Sequence, residues 1–159
     1  MKAIVLLIGS LALLFLNSGC LKSGDTTQCT PKTVSSEQPT ISSYAAANGI
    51  NATTDANGLS YEIISPGSGP VPTPTSKVFV TYTGQFLNGS VFDQQADAAQ
   101  TGWILNQLIT GWVYGLQYIQ KGGRIKLIVP SSLAYGCQGN GSIPPNSILY
   151  FDLTLVDVQ

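Results

Sequence analysis

The chain has 159 residues, enough for one domain with its own core. Only 9% of the residues are charged, the net charge is −1, and no basic run is present, which excludes the Lys/Arg stripe of a nucleic-acid binder. There is no histidine. Ser-His-Asp and Cys-His catalysis are thereby excluded, the commonest metal ligand is missing, and any enzyme here works without a histidine base.

Residues 1–19 read as an export signal: Lys2, an apolar run over 3–16, then Asn17, Ser18 and Gly19 before Cys20. The run is too short to span a bilayer comfortably. Small residues just before a cysteine resemble the lipobox of bacterial lipoproteins, with Asn17 where that pattern usually has an apolar residue. The resemblance implies cleavage after Gly19 and lipidation of Cys20. It implies an exported protein held to a bacterial membrane, at the outer membrane facing the periplasm, by its acyl chains alone. Simple secretion is the alternative. Residues 20–36 are small, polar and aperiodic, a flexible tether. Two cysteines remain, Cys29 and Cys137. A leftover pair in an exported protein suggests a disulfide, and two separate free thiols are the other reading.

Residues 37–58 form an N-terminal extension: a short helix over 37–48, with Pro39 in its first turn and Asn48-Gly49 ending it, then a loop over 50–58. A first strand is expected over 59–65, broken by the Pro/Gly run 66–70. The long β-branched and aromatic stretch 77–87 is a second strand. Asn88-Gly89 predicts a type I′ hairpin turn, and 90–93 returns. A polar loop or bulged edge covers 94–102, and a short strand follows at 103–105. The segment 111–136 organises the rest. Its helix spans 112–119, with Trp112, Leu116 and Ile119 at i, i+4 and i+7, and Gly111 and Gly115 leaving the backbone around Trp112 uncovered. Gly122-Gly123 stops that helix. The strand 124–129 alternates charged and apolar residues, as a half-exposed strand does. A turn over 130–136, a Gly/Pro-rich loop over 137–146 and a strongly alternating strand over 147–158 complete the chain. The class is α+β, a curved antiparallel sheet wrapped around one short helix, with the domain proper over 59–159. Taken alone, Trp112 reads most plainly as buried core.

Together these segments resemble the FKBP-type peptidyl-prolyl cis-trans isomerases. The matching motifs are V-F-V-T-Y-T-G at 78–84, N-G-S-V-F-D at 88–93, L-I-T-G-W at 108–112 and G-G-R-I-K-L-I-V-P at 122–130. L-A-Y-G at 133–136, I-P-P-N-S at 143–147 and Y-F-D-L-T-L at 150–155 follow in order. The resemblance implies a half-barrel and an apolar bowl floored by Trp112. Tyr82, Phe92, Asp93, Trp103, Leu108, Ile109, Tyr135, Ile143 and Phe151 would be its walls. For Phe92 and Asp93 both to reach the bowl, a bulge or strong twist must interrupt the hairpin. The implied roles are these: Trp112, Phe92, Phe151 and Tyr82 grip a proline ring, and the Ile109 N–H and Tyr135 hydroxyl bond substrate carbonyls. Asp93, held by Tyr82, orients dipoles around the twisting carbonyl, unless that pair is only a hairpin hydrogen bond. The implied partners are proline-containing polypeptides and macrolide inhibitors, with the protein acting as a monomer. No cofactor signature is present, and Cys29 and Cys137 lack CxxC spacing. A proline-binding or chaperone module with little turnover is the alternative function.

Overall fold

The computed structural model describes residues 29–159. The export signal and Cys20 lie outside the described residues, as does most of the expected tether. Among the described residues no helix is long and apolar enough to cross a membrane. The first helix, α1, spans Val34–Ala47, three residues earlier than expected. Its start is set by Thr33, whose side chain accepts the Ser36 N–H at 3.2 Å, a capping arrangement. Residues 34–36 therefore belong to the helix, and Pro39 falls inside it rather than in its first turn. The stripe Glu37, Ile41, Ala45 at i, i+4 and i+8 is buried.

Two short strands follow, β1 (Thr53–Thr54), within the expected loop, and β2 (Ser60–Ser65). The hairpin is β3 (Lys77–Phe86) and β4 (Val91–Gln95), and β5 is the two-residue strand Trp103–Ile104. Helix α2 spans Thr110–Gly115 and tightens into a 3-10 turn over Leu116–Tyr118. Strands β6 (Arg124–Val129) and β7 (Leu149–Val158) complete the chain. All pairings are antiparallel, in the order β1-β2-β6-β7-β3-β4, with β5 on the first residues of β3.

The inner face of the sheet carries Val80, Leu127, Leu153 and Leu155, packed with Trp112, Leu116 and Ile119 in one apolar cluster. The outer face is partly covered as well. Ile41 and Ala45 of α1, with Ile50, bury Ile128 in a second cluster. Strand β6, expected to be half-exposed, is therefore buried on both faces at its C-terminal end, because α1 covers the side that alternation left to solvent.

Three local expectations differ. The loop of the β3–β4 hairpin has three residues, closed by Phe86 N–H to Ser90 O at 2.9 Å and Gly89 N–H to Phe86 O at 2.9 Å. Gly89 has φ +86° and Asn88 is not left-handed, so this is a β-turn followed by a left-handed glycine rather than type I′. The helix expected over 112–119 is α2 plus its 3-10 turn, ending at Ile119 before the Gly122-Gly123 turn. The backbone at Gly111 and Gly115 is not uncovered. A Cβ there would lie 2.4 Å from Val129 Cγ1 and 2.6 Å from Leu127 Cδ2. The two glycines let α2 press onto β6, which sets the depth of Trp112.

Candidate functional site

The hairpin does not run in simple register. Gly84 pairs with Asp93 but Gln85 pairs with Val91, so Phe92 is the extra residue of a bulge. The bulge adds local twist, and the consequence is that Phe92 and Asp93, neighbours in sequence, border the same cavity. That cavity, about 380 Å³, is lined by Tyr82, Phe92, Asp93, Trp103, Gln107, Leu108, Ile109, Trp112, Tyr135 and Phe151. The rings come from β3, β4, β5, α2, β7 and the turn after β6, so the curvature of the sheet assembles them.

Trp112 is 4% exposed and forms the floor. Tyr82 and Phe151 stand nearly perpendicular to it, with centroids at 5.0 Å and 5.3 Å and interplanar angles of 79° and 85°. Phe92 meets Phe151 edge-on at 5.6 Å, and Trp103 lies 6.4 Å from Trp112. Edge-to-face contacts of this kind suit the ring quadrupoles and fix ring orientation. The floor's indole Nε1 is buried and donates to no group among the described residues.

Polar groups share the lining with the rings. The Tyr82 hydroxyl donates to Asp93 Oδ2 at 2.5 Å. Burial first, then the hydrogen bond and charge of Asp93, push the Tyr82 phenol well above its ordinary value. Tyr135 is pushed up as well, by burial and then by the Asp93 charge, against a lowering hydrogen bond with Asn140. Ile109 precedes α2, and its carbonyl accepts Trp112 N–H at 2.9 Å and Val113 N–H at 3.2 Å. Its own N–H donates to nothing among the described residues. The arrangement can hold a compact apolar ring and offer donors to carbonyls beside it. Its one hydroxyl–carboxylate hydrogen bond among the described residues, Tyr82 to Asp93, leaves the phenol harder to ionise, the opposite of an activated nucleophile.

Nine of the ten expected pocket residues line the cavity. Ile143 does not. It is buried in the inner cluster, and its N–H and carbonyl both pair with Asn140, at 2.8 Å and 3.0 Å. That bridge folds the loop back and turns Ile143 inward, which a transfer by motif position does not register. Gln107 was missed. It closes the 3-10 turn Leu105–Gln107 directly before Leu108 and Ile109, and that adjacency was the available signal. Cys29 and Cys137 are bonded to each other, 108 residues apart in sequence.

A family model described as FKBP-type peptidyl-prolyl cis-trans isomerase matches residues 69–156. A probable FKBP-type peptidyl-prolyl cis-trans isomerase of Haemophilus influenzae is 45% identical over 115 residues, 71% of this chain and 48% of that protein. The chain spans about half the length of the curated relatives it matches. Among solved structures, FkpA from Escherichia coli superposes with a TM-score of 0.68 at 34% identity, covering 79% of this chain and 61% of that one. A peptidyl-prolyl cis-trans isomerase from Pseudomonas syringae gives 0.65 at 29% identity, covering 82% of this chain and 98% of that one.

Proposed function

The chain belongs to the FKBP-type peptidyl-prolyl cis-trans isomerase family, and we propose that it catalyses X-Pro rotation in exported polypeptides at the Trp112 bowl. The observation that carries this reading is the pair of near-perpendicular rings on a buried indole, in a cavity whose lining also includes Ile109 and Tyr135. The reaction breaks no σ-bond. Its barrier, about 18–20 kcal/mol, is amide resonance. Water stabilises the polarised planar amide, and a bowl that excludes water from the amide while gripping the proline ring favours the twisted state instead. Trp112, Phe92, Phe151 and Tyr82 grip the ring, with Trp103 and Leu108 as walls. The Ile109 N–H and the Tyr135 hydroxyl bond the carbonyls. Asp93 fixes the Tyr82 hydroxyl and places a negative charge beside the turning carbonyl.

The context is that of a folding helper. Residues 1–19 direct export, Cys20 carries the lipid, a tether leads to α1, and the isomerase domain occupies 59–159. Uncatalysed X-Pro isomerisation takes about 10–100 s, slow enough to limit folding outside the cytoplasm. The deciding experiment is isomerisation of an X-Pro tetrapeptide by residues 21–159, with and without an FKBP-directed macrolide. Fast, macrolide-sensitive turnover is expected. Macrolide binding without turnover would make the domain a binding or chaperone module, and neither would leave only the fold.

Two further results are expected at this site. The first is a kcat/KM that stays flat between about pH 6 and pH 9. Both phenols are raised, so bonds made by their protonated forms are fully present below about pH 10 and are lost only as pH rises past it. A steep inflection near neutrality would require a titrating group outside this mechanism. The second concerns Gly84, where a Cβ would lie 2.7 Å from Phe92 Cζ and 2.9 Å from Phe151 Cε1. Gly84→Ala should push both rings into the bowl, cost about 1–3 kcal/mol of stability and weaken macrolide binding. Unchanged affinity in a titration would mean that the rings relax outward.

A further inference from the structure

Glu37 lies on the docking stripe of α1 with Ile41 and Ala45 and is 2% exposed. A carboxylate in such a position is costly to bury unless its oxygens are bonded. Among the described residues its carboxylate accepts one hydrogen bond, from the Ser131 N–H to Oε2 at 2.8 Å, across 94 residues of sequence. Oε1 is buried with no partner among the described residues. An apolar side chain there would leave the buried Ser131 N–H without this acceptor, so what the carboxylate contributes is the hold on Ser131.

The residue it holds frames the pocket tyrosine. The Ser131 carbonyl accepts the Ala134 N–H at 3.0 Å and the Gly136 N–H at 2.8 Å, the residues on either side of Tyr135. Beyond them, the Gly136 carbonyl accepts the Asn146 N–H at 2.9 Å. The Asn146 side chain in turn bonds the Lys32 N–H at 3.3 Å and the Thr30 carbonyl at 3.1 Å. Both ends of the Tyr135 turn are thus fastened to the chain before the domain, one to Thr30 and Lys32 through Asn146 and the other to Glu37 through Ser131.

We propose that Glu37 is a positioning residue for the isomerase site: by holding the Ser131 N–H it sets the turn that presents the Tyr135 hydroxyl to the substrate. The extension that carries it is therefore part of the working site and not only a spacer. This inference rests on the isomerase reading for its kinetic consequence, but its structural half stands separately.

The test uses the full chain with Glu37→Met, which keeps the volume and removes the acceptor, and Glu37→Gln, which keeps a carbonyl acceptor. Should Glu37→Met not fold, Glu37→Ala is read in its place. Glu37→Met is expected to lower kcat/KM for an X-Pro peptide about tenfold, misplacement of a positioned group being enough for such a loss. Glu37→Gln recovers the rate to within about threefold of the parent, as a restored acceptor would. In a Tyr135→Phe background Glu37→Met should add almost no further loss, because the hydroxyl it positions is gone. Amide hydrogen exchange at Ala134 and Gly136 should speed up in Glu37→Met while Leu127 and Leu153 remain protected. Equal losses with and without the Tyr135 hydroxyl, or unchanged exchange at Ala134 and Gly136, would overturn the proposal. If the unsubstituted protein shows no turnover, the isomerase reading fails, and the exchange measurement still decides whether Glu37 sets the turn.

Discussion

Phe92→Ala is expected to lower kcat/KM for X-Pro peptides by about 10–100-fold while leaving a folded protein. Phe92 is the bulged residue of the β3–β4 hairpin and is only half-buried, so its ring faces a ligand as much as the core. A proline ring covering that face would gain about 1.5–3 kcal/mol of apolar burial. Each 1.36 kcal/mol is a factor of ten in rate when the contact is felt in the transition state. The structural cost is smaller than for a core ring. A fully buried Phe→Ala costs about 3–5 kcal/mol, and Phe92 loses mainly its contacts with Phe86 at 5.1 Å and Phe151 at 5.6 Å. Phe86→Ala is the control, because Phe86 touches Phe92 without lining the cavity. It should lose stability with little loss of rate. An unchanged kcat/KM in a folded Phe92→Ala protein would take Phe92 out of the site.

The fate of Phe92 also shows what the sequence made legible. Once the family resemblance puts both Phe92 and Asp93 at the bowl, period-two alternation demands a bulge or strong twist, since the two cannot share a face in regular pairing. Where it falls, between Gly84 and Gln85 on the partner strand, depends on a three-residue turn that Asn-Gly chemistry does not single out. The strands and the α2 segment were readable because their apolar residues recur with the right period. What was not readable came from long-range partners. Ile128 looks solvent-facing until α1 covers it. Ile143 looks like a wall until Asn140 folds its loop back. Glu37 looks like a surface charge on a short helix until Ser131, 94 residues away, gives it a donor. In each case local pattern set the element and a distant contact set its role.

Removing the Cys29–Cys137 bond is expected to have the largest effect on stability. The link closes a loop of 108 residues, for which the chain-entropy model gives about 4–5 kcal/mol of constraint on the unfolded chain. Cys29→Ser with Cys137→Ser should therefore melt roughly 8–20 °C lower, taking about 2–4 °C per kcal/mol for a chain of this size. Catalysis should suffer much less. Tyr135 lies two residues from Cys137, yet the Ser131 carbonyl still holds the N–H groups on both sides of it, and Asn146 still ties Thr30 and Lys32 to the same loop. The double variant should keep kcat/KM within a few-fold at a temperature well below its midpoint. The measurement is a thermal melt and a rate on the same two proteins, residues 21–159 with and without the paired serines. Equal midpoints would mean that the unfolded chain is already compact enough for the link to constrain nothing. A lowered midpoint together with a collapse in rate would mean that the bond, rather than the hydrogen bonds around Ser131, holds the Tyr135 turn in place.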